Sequence, residues 1–161
     1  MSKRCLITGG SGFIGSHVID YLLEKTDWDL IILDRLDFSG ALRRLDEVIK
    51  EGDRRRVKFV FHDLKAEINN FVSKDIGDVD YIVHLAASSH VDRSLIDPLS
   101  FMMDNAIGTT NLLNFARTLT NLKKFINFST DETLGPAPEG VNYSEYCPHK
   151  PSNPYAASKA A

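Results

Sequence analysis

The chain has 161 residues, of which 43% are hydrophobic and 25% are charged. These values are ordinary for a globular protein and allow one domain with its own core. The formal net charge of -3 at pH 7 predicts no nucleic-acid partner, because a phosphate backbone binds to an electropositive face. Neither Cys5 nor Cys147 has metal-ligand or redox spacing, which fits a reducing compartment. The first residues lack the apolar stretch that is typical of a secretory signal, and no later run is close to the roughly 20 apolar residues that span a bilayer. A cytoplasmic protein without membrane contact is therefore expected.

Short apolar segments alternate with longer amphipathic segments along the chain. Buried strands are predicted at residues 5–8, 30–33, 57–61, 81–85 and 125–128, and helices at residues 13–24, 41–50, 66–74 and 98–119. Strands that are joined by helices lie parallel, because each parallel return needs a crossover connection. The pattern predicts the α/β class, with a doubly wound parallel sheet of the Rossmann type.

Two segments between these elements have unusual composition. Residues 53–56 read Asp-Arg-Arg-Arg, and a solvated turn is predicted for this charge run. Residues 135–154 contain five prolines, and proline is excluded from helix interiors and central strands. This stretch is predicted to be an ordered loop or a mobile flap, and loops of that length usually serve a site.

A glycine-rich turn directly follows the first predicted strand and opens the first helix. Residues 8–15 read Thr-Gly-Gly-Ser-Gly-Phe-Ile-Gly and match both G-x-G-x-x-G and G-x-x-G-x-x-G. Glycine allows a tight turn and close approach to a pyrophosphate, whose charge meets the free N–H groups of the helix. The predicted cofactor-binding residues here are Gly9, Gly12, Phe13, Ile14 and Gly15. The alternative is a purely structural strand-turn-helix.

Asp34 ends the second predicted strand, about 20 residues beyond the last glycine of the turn, where a carboxylate accepts hydrogen bonds from the adenosine ribose. This carboxylate would repel a 2′-phosphate, so NAD is the predicted cofactor. Arg35 is included among the cofactor-binding residues. Its guanidinium could pair with a 2′-phosphate, which leaves NADP as the alternative.

Tyr155 and Lys159 lie four residues apart and share one face of a predicted helix. The ammonium is expected to lower the pKa of the phenol, which can then take a proton from a substrate hydroxyl while hydride leaves the same carbon. A hydroxyl at the end of the preceding strand, in the run Ser129-Thr130-Asp131-Glu132, can hold the substrate oxygen. The alternative is an exposed helix pair beside a solvated acidic turn.

Four segments together resemble the NAD-dependent epimerase/dehydratase family of extended short-chain dehydrogenases/reductases, and within it the dTDP-glucose 4,6-dehydratases. They are residues 9–17, residues 84–94 (His-Leu-Ala-Ala-Ser-Ser-His-Val-Asp-Arg-Ser), residues 130–132 (Thr-Asp-Glu) and residues 153–159 (Asn-Pro-Tyr-Ala-Ala-Ser-Lys). The resemblance covers essentially the whole chain. It implies NAD as the cofactor and a nucleotide sugar as the substrate.

The resemblance also implies a reaction. Thr130 and Tyr155 would hold the sugar 4-hydroxyl, Lys159 would bind the nicotinamide ribose, and hydride would pass from C4 to NAD. Glu132 would then remove the C5 proton. Asp131 would protonate the departing 6-hydroxyl, and the hydride would return to C6. One of these neighbouring carboxylates can sit in a drier niche as the acid while the other stays ionised as the base.

Further positions are implied by the same resemblance. Asp63 would contact the adenine amino group, with a helix cap as the alternative, and Leu64 is included among the cofactor-binding residues. Leu85, Ala86 and Ala87 would line the dinucleotide, with ordinary packing as the alternative. Ser89 and His90 would contact the substrate. His84 is interpreted as a core residue at a strand end, and no histidine is expected to bind a metal.

The sequence departs from the family pattern at three places. Ser88 replaces the usual Glu, Asp104 replaces the usual Thr, and residues 133–134 are Thr-Leu in place of Val-Tyr. These departures leave the identity of the nucleotide sugar open. A 4-epimerase or decarboxylase of the same family and a nonenzymatic NAD-binding module are the alternative functions.

The chain stops two residues after Lys159, near the start of a predicted helix. Residues 1–161 are therefore expected to be a partial Rossmann domain that lacks the C-terminal substrate-binding region and is inactive alone. The resemblance implies a homodimer through the helix after Asp97 and the helix of Tyr155, a contact that the short second helix would weaken.

Overall fold

The computed structural model describes residues 2–161, which form a parallel five-stranded sheet with helices on both faces. The strands are β1 (Arg4–Thr8), β2 (Asp29–Asp34), β3 (Val57–Phe61), β4 (Tyr81–His84) and β5 (Lys124–Asn127). Their order in the sheet is β3-β2-β1-β4-β5, and every pairing is parallel. The predicted α/β class and the doubly wound Rossmann-type sheet are confirmed.

Within residues 2–161, seven helices connect and follow the strands. They are α1 (Phe13–Lys25), α2 (Leu42–Val48), α3 (Asn70–Ile76), α4 (Val91–Ile96), α5 (Pro98–Phe101), α6 (Gly108–Ala116) and α7 (Pro154–Ala160). A π-helical segment, Met102–Ile107, joins α5 to α6, and 3-10 turns occupy Glu51–Arg56 and Asp131–Leu134. The helix predicted at 98–119 is thus a composite of α5, the π segment and α6. Such π segments are often found at functional sites.

The helix bounds differ from the prediction where side chains cap the backbone. α3 begins at Asn70 and not at residue 66, because the Asn69 side chain accepts from the N–H groups of Phe71 and Val72. An N-cap of this kind satisfies donors that have no partner inside the helix. The short helix α4, between His90 and Asp97, was not predicted.

The core has two layers because successive side chains of a buried parallel strand point to opposite faces of the sheet. On β1, Leu6 faces the layer formed with α3 and α6, whereas Cys5 and Ile7 face the layer formed with α1 and α2. All three side chains are completely buried. Burial raises the pKa of the Cys5 thiol to about 12, so this cysteine is a core residue and not a reactive one.

The charge run at 53–56 is not simply solvated. The Arg56 side chain is only 17% exposed and pairs with Asp53 at 2.6 Å. Its guanidinium donates to the carbonyls of Leu23 and Thr26 at the end of α1, at 3.0 and 2.8 Å. The solvated-turn prediction is wrong for Arg56, because this cation binds carbonyls that the helix leaves without partners.

None of the helices in residues 2–161 combines the length and the apolar character that crossing a membrane requires.

Candidate active site

A cleft of about 590 Å³ opens at the carboxyl ends of the strands, where doubly wound sheets bind their ligands. Most of the predicted site residues line this cleft. They are Gly9, Gly12, Phe13, Ile14, Gly15, Asp34, Arg35, Asp63, Leu64, Leu85, Ala86, Ala87, Ser89, His90, Tyr155 and Lys159. Thr130, Asp131 and Glu132 do not line it and lie beside it, in the turn after β5 that packs against α7.

Backbone atoms leave no space for a side chain at Gly9 or at Gly15 of the glycine-rich turn. Gly9 has a φ of +70°, and a Cβ there would lie 2.7 Å from the Ala86 nitrogen. A Cβ on Gly15 would lie 2.2 Å from the Gly9 carbonyl oxygen. No side chain among residues 2–161 caps α1, so its first N–H groups are free to meet an anion at the cleft.

Asp34 is 8% exposed and joins the glycine-rich turn to the loop after β2. Its Oδ2 accepts from the Ser11 N–H and its Oδ1 accepts from the Leu36 N–H, each at 2.9 Å. A carboxylate oxygen can accept more than one hydrogen bond. Asp34 is therefore held by two backbone N–H groups and keeps the capacity to accept further hydrogen bonds.

Arg35 contacts three carboxylates. It pairs with Asp37 and Asp104 at 2.9 and 2.6 Å, and its Nη1 lies 3.5 Å from Asp63. Asp104 comes from the π-helical segment and was not predicted as part of the site. No local pattern could have revealed it, because the two residues of the pair lie far apart in the sequence.

Tyr155 and Lys159 occupy one face of α7, as predicted, but their electrostatics differ from the expectation. Burial raises the pKa of Tyr155, and the carboxylates of Glu132 and Asp131 add to this effect, whereas the Thr130 side chain opposes it. Lys159 donates to the Phe128 carbonyl at 2.7 Å, and burial lowers its pKa. The prediction that Lys159 lowers the pKa of Tyr155 is wrong for this structure, because the ammonium is directed at that carbonyl.

The acidic pair after β5 is held by Thr130 and Asn153. The Thr130 hydroxyl accepts from the Glu132 N–H at 3.3 Å and caps the 3-10 turn. The Asn153 side chain donates to Glu132 Oε2 at 2.9 Å and caps α7 by accepting from the Ala156 N–H at 2.7 Å. Asp131 is exposed and Glu132 is half-buried. The two carboxylates therefore differ in environment, as expected of an acid and a base, but the drier one is Glu132, to which the resemblance gives the role of base.

Two hydrogen-bonded networks connect the elements that surround the cleft. Asn105 donates to the Ser88 carbonyl at 2.9 Å and to Ser158 Oγ at 2.8 Å, which connects the loop after β4 to α7. His84 is 2% exposed and lies between the hydroxyls of Thr8 and Thr109 at 2.6 and 2.9 Å. Its predicted place in the core is confirmed. Asn105 was missed because nothing in its local sequence marks it.

His90 has a φ of +94°, a backbone conformation that residues other than glycine rarely adopt. It immediately precedes α4 and lines the cleft beside Ser89. Strain of this kind is concentrated at functional sites. This observation supports a contact between the segment and a ligand.

Three features together define the class of extended short-chain dehydrogenases/reductases. They are the order of the strands in the sheet, the glycine-rich turn and the helix that carries Tyr155 and Lys159. A family model described as GDP-mannose 4,6 dehydratase matches residues 6–161, and the chain belongs to this family. The predicted resemblance to the epimerase/dehydratase branch is confirmed.

The chain is similar to dTDP-D-glucose 4,6-dehydratase of Mus musculus, with 38% identity over 99% of this chain and 44% of the relative. It is 39% identical to dTDP-glucose 4,6-dehydratase of Streptomyces niveus, over 98% of this chain and 46% of the relative. The chain thus spans less than half the length of these relatives.

Solved structures show the same likeness. A dTDP-glucose 4,6-dehydratase from Streptomyces venezuelae, solved with NAD bound, has 38% identity and a TM-score of 0.87 over 98% of this chain and 48% of its own. The UDP-Glc/GlcNAc 4-epimerase of Campylobacter jejuni has 35% identity and a TM-score of 0.85, over 98% of this chain and 46% of its own.

Proposed function

We propose that this chain is the NAD-binding part of a nucleotide-sugar 4,6-dehydratase that acts on dTDP-glucose or a close analogue. The observation that carries the proposal is the placement of Asp131 and Glu132 beside Tyr155 at one end of a dinucleotide cleft. Oxidation of a sugar alcohol needs only the tyrosine and its partners. Loss of water needs an acid and a base in addition.

The cleft residues fit NAD. The cradle of Gly9 and Gly15, which a Cβ would fill, would hold the pyrophosphate against the start of α1. Asp34 would bind the adenosine ribose, and Asp63 and Leu64 the adenine. Leu85, Ala86 and Ala87 would line the middle of the dinucleotide, and Lys159 would bind the nicotinamide ribose. NAD, when bound, accepts a hydride and returns it.

The residues after β5 and on α7 would handle the sugar. Thr130 and Tyr155 hold the 4-hydroxyl. For Tyr155 to take its proton as C4 is oxidised, the phenol must first be ionised, which requires Lys159 to turn from the Phe128 carbonyl toward the filled cleft. The C5 proton then becomes acidic, and Glu132 removes it. Asp131, which is exposed to solvent, donates a proton to the departing 6-hydroxyl. Ser89 and His90 would contact the sugar from the loop before α4.

A 4-epimerase is the second candidate, because the Campylobacter jejuni enzyme matches this chain almost as well as the dehydratases do. An epimerase shares the oxidation at C4 but loses no water, and a decarboxylase loses carbon dioxide instead. The Asp131–Glu132 pair favours the dehydratase, because neither alternative needs an acid and a base for elimination.

The proposal also covers the domain organisation, the location and the assembly of the enzyme. Residues 1–161 would form the NAD-binding Rossmann domain, and the nucleotide would be gripped by a region outside them. The protein would act in the cytoplasm, in carbohydrate biosynthesis, as a homodimer that packs through α5, α6 and α7. An intact mass of the native protein well above 18.0 kDa would support the division into two parts.

Two assays test the proposal. Calorimetric titration of the 161-residue chain with NAD measures binding directly, and no binding would contradict a dinucleotide site. The protein in the form made by its native source is then incubated with dTDP-glucose and NAD, and the sugar product is analysed by mass spectrometry. Loss of one water supports the dehydratase, whereas a product of unchanged mass that chromatography separates from dTDP-glucose supports the epimerase.

Variants separate the two chemical steps in the second assay. Glu132→Gln is expected to leave oxidation at C4 intact and to block the loss of water. Tyr155→Phe is expected to block both steps while the protein still binds NAD. A Glu132→Gln variant that loses water at the normal rate would remove Glu132 from the mechanism.

A further inference from the structure

The guanidinium of Arg35 is enclosed by carboxylates where β2 and β3 end. Its Nη1 and Nη2 donate to the two oxygens of Asp104 at 2.6 and 2.8 Å, in a bidentate pair. Its Nε and Nη2 donate to Asp37 Oδ2 at 3.1 and 2.9 Å. Asp63 Oδ1 lies 3.5 Å from Nη1. Four of the five N–H donors of Arg35 are therefore occupied, and the second donor of Nη1 lies on the atom that faces Asp63.

Asp104 is the partner that approaches Arg35 from the π-helical segment Met102–Ile107. Its side chain is only 9% exposed, and it accepts a further hydrogen bond from Ser88 Oγ at 2.5 Å. Burial alone would raise the pKa of Asp104, but hydrogen bonds from Arg35 and Ser88 and the charge of Arg35 outweigh it and lower the pKa. Asp104 is thus a fixed anion at neutral pH.

Arg35 directly follows Asp34, the carboxylate that would bind the adenosine ribose. A guanidinium that was free to turn toward the cleft could meet a phosphate on the ribose 2′-oxygen. A guanidinium held by Asp104 is not available to bind that phosphate. A 2′-phosphate would then face the carboxylates of Asp34 and Asp37, which repel it.

Asp37 could not hold Arg35 in the same way. It lies on the same loop as Arg35, and its other oxygen, Oδ1, accepts hydrogen bonds from the N–H and the hydroxyl of Ser39. Without Asp104, Arg35 would keep this single-oxygen contact and could move with the loop. The hydrogen bond to Asp104 is also the largest cause that raises the pKa of Arg35.

We propose that Asp104 is a specificity-determining residue, which holds Arg35 away from the ribose 2′-position so that the cleft accepts NAD and rejects NADP. The proposal rests on the proposed function, because it requires that the cleft bind a dinucleotide. In this proposal, the ion pair between Arg35, in the loop after β2, and Asp104, in the π-helical segment, discriminates NAD from NADP in addition to Asp34.

The test is titration of the 161-residue chain with NAD and with NADP, in four forms: wild type, Asp104→Asn, Arg35→Gln and the double variant. Asp20→Asn, an exposed change on α1 that removes the same charge, is the matched control. Asp104→Asn is expected to lower the ratio of the NADP Kd to the NAD Kd by about tenfold, since one charge-assisted contact to phosphate is gained. The double variant and Asp20→Asn are expected to keep the wild-type ratio.

Each outcome bears on the proposal. An unchanged ratio in Asp104→Asn overturns it, and so does a gain that survives in the double variant, which would point to another cation such as Arg44. Arg35→Gln gives an independent reading if Asp104→Asn does not fold, as thermal melting would reveal. Arg35→Gln is expected to leave NADP binding unchanged, and weaker NADP binding would mean that Arg35 is already free to reach the phosphate.

The wild type separates this inference from the proposed function. If it binds neither dinucleotide, the proposed function fails and this inference fails with it. If it binds NAD and NADP equally, the dinucleotide site stands and only the role of Asp104 is overturned.

Discussion

The side-chain amide of Asn153 donates to the Glu132 carboxylate at 2.9 Å, and its carbonyl oxygen accepts from the Ala156 N–H at 2.7 Å. The cap fixes the orientation of the amide, since only the oxygen can accept from an N–H. One residue therefore holds both the start of α7 and the proposed base.

Two replacements of Asn153 separate these roles. Asn153→Ala removes the cap and is expected to lower the free energy of unfolding by about 1–2 kcal/mol, whereas Asn153→Ser keeps a capping oxygen and stays within about 0.5 kcal/mol. Both lose the donor to Glu132, so both are expected to slow the loss of water. Urea unfolding and product analysis measure the two effects. A serine variant as unstable as the alanine variant would contradict the capping role.

Gly15→Ala is expected to disrupt the glycine-rich turn. The new Cβ would lie 2.2 Å from the Gly9 carbonyl oxygen, so the backbone must shift, at about 1–3 kcal/mol of stability. NAD binding is expected to weaken at least tenfold or to be lost. The control is Gly52→Ala, where nothing lies within 4 Å of the added atom. Calorimetry and chemical unfolding of the two variants should differ clearly, and equal behaviour would exclude steric crowding at position 15.

Arg56→Ala is expected to destabilise the fold by about 1–3 kcal/mol, because its buried hydrogen bonds to α1 carbonyls and its pair with Asp53 are lost together. Arg55→Ala, which removes the exposed neighbouring charge, is expected to change stability by less than about 0.5 kcal/mol. Thermal melting of the two variants provides the comparison. Similar losses in both would mean that the charge run acts only through its net charge.

His84 is expected to make the fold sensitive to acid. Burial, with a smaller effect from the Lys159 charge, lowers the pKa of His84 from 6.5 to about 4. Its neutral form is therefore favoured in the folded state, and the stability it contributes is complete above pH 6.5. This stability is lost as the pH falls from 6.5 to about 4, by about 3 kcal/mol in total.

Urea unfolding between pH 7 and pH 4 measures this loss. His84→Asn provides the control, because it does not titrate and the carboxylates that titrate in the same range remain. The wild type should lose more stability than the variant over that interval. Parallel pH profiles would show that His84 is not the responsible group.

The fold and the glycine-rich turn were predictable because their signals are local. Leu6, Ile31 and Ile82 belong to short apolar runs, and such runs are typical of a strand covered on both faces. Gly9 and Asp34 lie where a strand meets its turn, and their spacing together with that context indicates a dinucleotide cleft.

The missed features depend on residues that are distant in the sequence. Arg35 meets Asp104 only because β2 and the π-helical segment end beside the same cleft. Asn105, in the π-helical segment, reaches Ser158 on α7 for a similar reason. The pKa of Tyr155 could not be predicted from the spacing to Lys159, because it depends on burial and on where the ammonium is directed.

The position of β1 in the middle of the sheet has a consequence for synthesis of the chain. β1 is made first, yet one of its two edges pairs with β4, which begins at Tyr81. The ribosome adds about 5–20 residues per second. One edge of this apolar strand therefore stays unpaired for roughly 4–15 s, until β4 has been made. The early chain is then a target for chaperones, since an unpaired hydrophobic strand readily joins another.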